Sequence, residues 1–506
     1  MEVIYNDLVG QELLVVEDVQ LKTDHKAELP EGAKKVVGVT CHVYPQNTEA
    51  KGSEVVVTGD TVIRLIYINE FDKYDSKDVV TPFENKIVTN DLTGINGIFS
   101  TVSVLDCQWE IQDNYVNLSN ILGVTIKGVK ERNERLVADL SGDVEVKKLE
   151  QKVLSFNLVL QDKFEVEDNL ELEQNCEGVL GVDANAFVKD VACADGKVSV
   201  KGVVAVNMIG VKTVDNSSVP YNTTTEIDFA KNIMATGVSA EDLASGTVVV
   251  SAVSMHIEST NKGSVLVLNI TLAFHGCAYV YQNFSTVVDA ISFDKELSFE
   301  TSNIERTQML PQINTTVDIE NNLNMPANMP YIARVLAVDG VQIKNLNVTA
   351  ADGKAVLEGV ITANVLVENE EHLISNYLAE APFQTSVRMD SIDSDYTLEA
   401  SVSPMLLNVK ARRGVELLID AKLGISVQAT NKRTMNVVTA VIVGSPKTDD
   451  GSAIRIYIIG EKENLWDLAK RTNLGSAELI KQNPNLENGC TPGERIVVYR
   501  HENVNL

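Results

Sequence analysis

Val55-Val-Val-Thr-Gly-Asp-Thr-Val-Ile-Arg-Leu-Ile-Tyr-Ile68 is the stretch that decides the fold, because the chain contains it three times in altered form. Its echoes are Val198-Ser-Val-Lys-Gly-Val-Val-Ala-Val-Asn-Met-Ile-Gly-Val211 and Ala355-Val-Leu-Glu-Gly-Val-Ile-Thr-Ala-Asn-Val-Leu-Val-Glu368. Period-2 alternation predicts strands with one buried face, and self-similarity along the chain predicts repeated units. Each copy has a glycine inside the strand, where a bulge or a close backbone approach is the physical reason for one. These glycines are Gly59, Gly202 and Gly359.

Other landmarks recur in the same order around each copy. A tight turn with a glycine, which tolerates positive φ, precedes the strand, and a phenylalanine and a long hairpin follow it. The turns are 51–53, 195–197 and 352–354, the phenylalanines are Phe83, Phe229 and Phe383, and the hairpins are 100–127, 247–275 and 396–428. We therefore predict a mainly β fold of three tandem antiparallel β-sandwich-like repeats. Their expected ranges are 1–150, 151–295 and 296–435.

Composition agrees with strands and excludes several classes of partner. The 506 residues are 44% hydrophobic but only 5% aromatic, so Val, Ile and Leu, which include strong strand formers, supply the apolar mass. The net charge of −28 argues against nucleic acid and anionic lipid, whose binding depends on Lys and Arg. No apolar run approaches the length of a membrane span, so we expect no membrane insertion. The acidic surface either maintains solubility or attracts a basic partner.

No motif for catalysis, a cofactor or a metal ion stands out. The six cysteines form no Cys-x-x-Cys pair, which favours buried thiols in a reducing compartment over a zinc site or a disulfide framework. His256 and His275 are placed to face each other across the second hairpin, but two polar positions on a solvent-facing side of the sheet explain these histidines better than a metal site does. The acidic start lacks the basic region of a secretory signal. We expect a protein without enzymatic activity.

The last fifty residues predict a small α+β domain. Residues 454–459 have the pattern of a strand, 464–472 and 476–484 of short helices, and 493–499 of a second strand. Asn464 is placed to cap the first helix, and Trp466 either fills the core or contacts a ligand. Residues 444–452 have the composition of a flexible linker. We therefore expect a linker at 436–452 and a βααβ domain at 453–500.

This domain resembles the LysM module in the order of Tyr457, Leu465-Trp466, Leu468-Ala469, Leu479, Asn483-Pro484 and the Pro492-Gly493 turn. LysM modules typically bind N-acetylglucosamine chains through the loop before the first helix and the loop after the second. Three residues of the first loop depart from the usual Gly-Asp-Thr-Leu, and the loss of its glycine favours a protein ligand over a sugar. The partner-binding residues implied by the resemblance are Lys462, Glu463, Asn464, Leu465, Trp466, Asn483, Pro484, Asn485 and Leu486.

The three repeats together with the C-terminal domain resemble the clostridial spore coat morphogenetic proteins that carry SPOCS-domain repeats and a LysM domain. That resemblance implies a non-enzymatic scaffold or adaptor in the mother-cell cytoplasm, at the forespore surface and the spore coat. The LysM-like head would bind a coat assembly ATPase of the SpoIVA type, and other coat proteins or a second copy of the chain are further expected partners. The alternative is a protein of the spore cortex or cell wall that binds peptidoglycan through N-acetylglucosamine.

Overall fold

The computed structural model describes residues 1–89, 92, 95–215, 217–260, 263–326, 329–390, 392–448 and 453–499. The chain is mainly β, with 79% of its residues in strands and 4% in helices, which confirms the predicted class. Within the described ranges, no helix is long and apolar enough to cross a membrane.

Nineteen strands occupy the chain up to Pro446, in three successive groups. The first group is β1 (Glu2–Glu28), β2 (Ala33–Lys51), β3 (Glu54–Asn69), β4 (Tyr74–Val88), β5 (Ile95–Gln112) and β6 (Tyr115–Ser141). The second group is β7 (Val144–Glu171), β8 (Cys176–Ala194), β9 (Lys197–Val214), β10 (Ser217–Met234), β11 (Leu243–Thr260) and β12 (Gly263–Ser292). The third group is β13 (Lys295–Met309), β14 (Ile313–Asn324), β15 (Ile332–Ala351), β16 (Lys354–Asn369), β17 (Ile374–Arg388), β18 (Thr397–Arg412) and β19 (Glu416–Pro446).

Each group contains two antiparallel sheets. One is a meander of consecutive strands, in the orders β2-β3-β4, β8-β9-β10 and β15-β16-β17. The other places the long closing strand between the opening strand and its own hairpin partner, in the orders β1-β6-β5 and β7-β12-β11. In the third group, β13 and β14 together pair with β19, which also pairs with β18. Regular alternation of buried and half-buried residues, clearest in β6, leaves one face of each strand for the core.

The glycines inside β3, β9 and β16 are explained by the aromatic ring that lies across each of them. In the three ladders Gly59 pairs with Phe83, Gly202 with Phe229, and Gly359 with Phe383. A Cβ added at these glycines would come within 2.6 Å, 2.4 Å and 2.9 Å of the ring atoms. The close approach expected from the sequence is therefore made by a cross-strand phenylalanine, together with a neighbouring carbonyl oxygen.

The three meander sheets meet at one apolar centre. Six of its buried side chains are the same two positions taken from each sheet: Val37 and Ile66, Leu180 and Ile209, Leu336 and Leu366. Separate, larger cores fill the space between the two sheets of the second and the third group. The sheets therefore pack in two ways, within a group and around a shared centre.

The acidic segments at the start of the second and third groups lie in strands, and the strands extend into the expected linker. Residues 145–150 belong to β7 and residues 298–305 to β13, both of which pair along their length with β12 or β19. Strand β19 continues to Pro446, beyond the start of the expected linker at 436, because β13 pairs with it up to that residue. Residues 449–452 of that linker, and 261–262 of the turn in the second hairpin, lie outside the described residues.

Substitution of Gly202 by alanine tests the ring-over-glycine packing. We expect a loss of about 1–3 kcal/mol in the free energy of unfolding, because the new methyl group must displace the Phe229 ring or the Phe187 carbonyl. Gly178→Ala is the matched control in the same sheet, since nothing lies within 4 Å of a Cβ added there. Equal urea midpoints for the two variants would contradict the packing argument.

Candidate functional site

The C-terminal segment, here called the head (residues 454–499), contains the residues that the sequence implicates in binding. Its elements are β20 (Ile454–Ile458), α1 (Leu465–Thr472), α2 (Ser476–Gln482), a 3₁₀ turn (Pro484–Asn488) and β21 (Arg495–Tyr499). The two strands pair antiparallel. Their inner face and the helices enclose a core of Ile459, Leu468, Leu479, Leu486, Ile496 and Val498.

The loop before α1 is held closed by its own side chains. Asn464 caps the helix: its side chain accepts a hydrogen bond from the Asp467 N–H, and the Asp467 carboxylate accepts one from the Asn464 N–H. The Glu463 carboxylate accepts hydrogen bonds from the Gly460 N–H at 2.9 Å and from Arg471 at 2.8 Å. Lys462 is exposed, so this lysine is the most accessible charged group of the predicted first loop.

The loop after α2 divides into internal and accessible residues. The Asn483 amide is buried, where it donates to the Val497 carbonyl and accepts from the Val497 N–H at 2.8 Å, so it joins α2 to β21. Leu486 is 3% exposed and lies in the core of the head, so it is not available to a partner, whereas Leu465 is half-buried against the same core. Pro484 and Asn485 are exposed.

The two loops lie next to each other. Asn485 of the second loop donates to the Glu494 carboxylate at 2.5 Å, and the Glu494 carbonyl accepts a hydrogen bond from the N–H of Ile459, which precedes the first loop. Partial burial and the nearby carboxylates of Glu463, Glu494 and Asp467 raise the pKa of the Cys490 thiol. The accessible members of the predicted set, Lys462, Asn464, Pro484 and Asn485, therefore surround one end of the two-stranded sheet.

Trp466 faces away from the loops, toward the strands of the second group. Its indole N–H donates to Asp289 of β12 at 2.7 Å, and Lys470 donates to the same carboxylate at 2.6 Å. On the same side, the Ser476 N–H donates to Glu145 of β7 at 2.7 Å. Trp466 thus joins the head to the rest of the chain, a contact that the sequence did not predict.

The outer face of the β20–β21 sheet is apolar and exposed. Ile454, Ile456 and Ile458 are 58%, 67% and 56% exposed, and Tyr499, which pairs with Ile454, is 48% exposed. Exposed apolar side chains grouped on one face are a common mark of a binding surface. The Ile-Arg-Ile-Tyr-Ile alternation contains this signal, because every second residue of the strand is an isoleucine on the outer face.

A second polar site, here called the axial cluster, lies where the three meander sheets meet. Thr40, Asp183 and Asp339 occupy the same position on β2, β8 and β15, and they pair across the ladder with Arg64, Asn207 and Asn364. Each of these three partners donates to a backbone carbonyl of the next sheet. Arg64 donates to Val182 at 3.0 Å, Asn207 to Val338 at 3.1 Å, and Asn364 to Val39 at 3.3 Å.

These hydrogen bonds form a closed ring around the centre, from the first sheet to the second, the third and back to the first. The Arg64 side chain, which is only 4% exposed, lies 2.7 Å from Asp183, 3.2 Å from Asp78 and 3.6 Å from Asp339. His42 Nε2 is 3.1 Å from Asp183 Oδ1, and Thr40 donates to Asp339 Oδ2 at 3.0 Å. The cluster therefore contains side chains from all three groups of strands.

The two buried aspartates of the axial cluster titrate in opposite directions. Burial and the charge of Asp183 raise the pKa of Asp339 to about 7. Burial opposes the ionisation of Asp183, but His42 and Arg64 outweigh it and hold the pKa of that carboxyl well below its usual range. Burial also opposes the protonation of His42, and Asp183 outweighs it, so the pKa of the imidazole is raised. A proton on Asp339 and a carboxylate at Asp183 thus coexist near neutral pH.

The sequence did not indicate the axial cluster, and the histidines that it placed opposite each other were His256 and His275. In the ladder His256 pairs with Val267, and His275 pairs with Thr247. The two rings therefore lie on different rungs and do not face each other, because the register of the hairpin separates them. Each of His42, Asp183 and Asp339 is more than 140 residues from the others in sequence, and only the packing of the three meander sheets brings them together.

No protein-family model, curated protein or solved structure matches this chain. Its function must therefore be argued from its own residues and surfaces.

Replacement of Arg64 by methionine tests the contribution of the guanidinium. We expect a loss of about 3–5 kcal/mol in the free energy of unfolding, because Asp183 and Asp339 remain buried without their cationic partner. Arg388→Met is the control, since the Arg388 side chain is 80% exposed and pairs only with the exposed Asp390. Similar unfolding midpoints of the two variants in urea would show that the axial cluster does not depend on Arg64.

The raised pKa of Asp339 predicts that the protein loses stability as the pH rises. Between about pH 4 and 7 the folded chain holds a proton on Asp339 that the unfolded chain releases, so unfolding becomes easier by up to about 1.4 kcal/mol per pH unit. The raised pKa of His42 acts in the same direction above its usual value of 6.5. Urea titrations from pH 5 to 8 with a chelator should show a flatter dependence for Asp339→Asn than for the parent chain. An unchanged slope would contradict the prediction.

Proposed function

We propose that the chain is a non-enzymatic scaffold of the spore coat, similar to the clostridial protein SipL. In this proposal, the strand groups β1–β6, β7–β12 and β13–β19 are three SPOCS-like repeats, and the head is a LysM-like domain. The head binds a coat assembly ATPase of the SpoIVA type and holds the coat at the forespore surface, within the mother-cell cytoplasm.

Common features of the three strand groups support the repeat assignment. Each group has a meander sheet with a glycine paired to a phenylalanine, and each turn before that glycine strand contains a glycine with positive φ: Gly52, Gly196 and Gly353. Each group also ends in a hairpin whose second strand pairs with the opening strand. A tandem β scaffold of this kind offers large sheet surfaces on which other proteins can assemble.

The order of elements and the position of the loops support the LysM-like assignment. The head has the order strand, helix, helix, strand, with the two strands paired, and the loops at 460–465 and 483–486 lie on the same end. In the first of these loops the Glu463 carboxylate fills the space beside the backbone of Gly460. A sugar that approaches this backbone would have to displace that carboxylate, which favours a protein partner.

The single observation that carries the proposal of a protein partner is the exposed apolar face of Ile454, Ile456, Ile458 and Tyr499. Binding hot spots are large side chains that become buried at the centre of an interface, surrounded by polar groups. The exposed Arg495, opposite Ile458, and the accessible loop residues provide such a polar rim at one end of this face. We therefore place the partner on the sheet face and the adjoining loops.

Binding of the full-length chain to a recombinant SpoIVA-type ATPase tests this function. The triple variant Ile454→Ser, Ile456→Ser, Ile458→Ser should bind at least tenfold more weakly in biolayer interferometry, because it removes the apolar centre of the interface. Val80→Ser, Val88→Ser, Leu378→Ser is the matched control, since these three side chains are equally exposed on strands outside the head.

The alternative, binding to peptidoglycan, is distinguished by pelleting the same proteins with purified cell-wall sacculi. Sedimentation that depends on Lys462 and Asn485, without affinity for the ATPase, would favour the glycan and refute the scaffold function as proposed. Equal ATPase binding by the two triple variants would refute the assignment of the sheet face. A fluorescent fusion that fails to reach the forespore surface during sporulation would refute the location.

A further inference from the structure

We propose that the axial cluster is a binding site for a divalent transition-metal ion of the zinc class, held by His42, Asp183 and Asp339. One ligand comes from each of the three groups of strands, so the ion would join the three meander sheets at their centre. This site is separate from the head and goes beyond the proposed scaffold function.

The first argument is the geometry of the donor atoms. His42, Asp183 and Asp339 each present one donor atom, and all three atoms lie within 4.8 Å of one another. His42 Nε2 and Asp183 Oδ1 are 3.1 Å apart. Two ligands of a tetrahedral zinc ion lie about 3.3–3.6 Å apart, as Zn–N and Zn–O bonds of about 2.0–2.2 Å require. The His42–Asp183 pair is slightly closer than this spacing, so metal binding requires these two atoms to separate slightly and the Asp339 donor to move toward them.

The second argument is that two of the donor atoms lack hydrogen bonds although they are buried. Within the described ranges, Asp339 Oδ1 is a buried polar atom without a hydrogen-bond partner, and His42 Nε2 has the Asp183 carboxylate at 3.1 Å but makes no well-directed hydrogen bond. The Asp339 side chain is 8% exposed and that of His42 is 17% exposed. A buried polar atom without a partner costs about 1–3 kcal/mol, so native structures rarely keep one without a reason. A bound ion satisfies both atoms at once.

The third argument is the arrangement of the remaining atoms of the ligands. Asp339 Oδ2 accepts from Thr40, and Asp183 Oδ2 accepts from the Gly340 N–H, both at 3.0 Å. Such contacts fix the direction of a carboxylate toward a metal. Arg64 donates to the Asp183 Oδ1 atom and also contacts Asp78. It would therefore hold the Asp183 carboxylate in position without itself binding the ion.

The fourth argument is the balance of formal charge. When all three are ionised, the carboxyl groups of Asp78, Asp183 and Asp339 place three negative charges within reach of the Arg64 guanidinium. A divalent ion compensates Asp183 and Asp339 and leaves Arg64 to compensate Asp78, with a neutral imidazole at His42. One nitrogen and two oxygen donors suit Zn²⁺, Co²⁺ or Mn²⁺ better than Ca²⁺ or Mg²⁺, which prefer oxygen ligands alone.

Metal titration of the full-length chain tests the site. After removal of metals with a chelator, calorimetry with Zn²⁺ should give one equivalent that His42→Ala and Asp339→Asn bind at least tenfold more weakly. His256→Ala is the matched control, because that exposed histidine also lies 2.9 Å from a carboxylate, in Glu258, and should bind as the parent does. The unfolding temperature of the parent should rise with the Zn²⁺ concentration, and Mg²⁺ at the same concentration should have no effect.

Replacement of Zn²⁺ by Co²⁺ reports on the ligands without a mutation, which keeps the proposal testable if a variant does not fold. We expect visible d–d absorption without an intense thiolate charge-transfer band, since the donors are nitrogen and oxygen. A thiolate band would assign the ion to a cysteine and overturn the proposal. The proposal is also overturned if the parent chain binds no equivalent of Zn²⁺, or if His42→Ala binds it as tightly as His256→Ala does.

Discussion

The arrangement of the three meander sheets depends on the hydrogen bonds and ion pairs of the buried Arg64 guanidinium. Arg64 replaces, in the first sheet, the asparagines that occupy the equivalent positions Asn207 and Asn364. All three side chains donate to a carbonyl of the next sheet, but only the arginine brings a charge to the centre. A buried cation is costly unless it is paired and hydrogen-bonded, so the aspartates of the second and third sheets are needed beside it. The three groups therefore have one shape but are not interchangeable.

Local signals in the sequence predict the strands but not the axial cluster. These local signals are the alternation of apolar residues, the turns that contain glycine, and the phenylalanines opposite strand glycines. Each acts over a few residues, and together they were sufficient to predict a mainly β chain with the observed hairpins. The meeting point of the sheets depends on contacts between residues such as Thr40 and Asp339, which are about 300 positions apart. Aligning the glycines Gly59, Gly202 and Gly359 does place Arg64, Asn207 and Asn364 in register. Nothing in that alignment indicates that the copies face a common centre.

The head shows the same division between local and distant information. The cap at Asn464 and the helix end before Pro484 follow from residues three or four positions apart, and both are present. The resemblance to LysM implied partner contact at Leu486, and the sequence left Trp466 open between filling the core and contacting a ligand. Leu486 lies in the core of the head, and Trp466 contacts Asp289, which is 177 positions earlier in the chain. Distant contacts of this kind leave no local pattern.

The contact between head and strands determines which surfaces of the head remain for binding. Trp466, Lys470 and Ser476 are occupied by Asp289 and Glu145, so the helical side faces the rest of the chain. On the β21 edge, the Gln482 and Asn483 amides bond the backbone of Tyr499 and Val497, which prevents a further strand from pairing there. The accessible loops and the apolar sheet face remain. Two copies of a chain with a net charge of −28 repel each other, so charge alone disfavours burying this face in a homodimer. A different protein is therefore the occupant that the physical properties of the head favour.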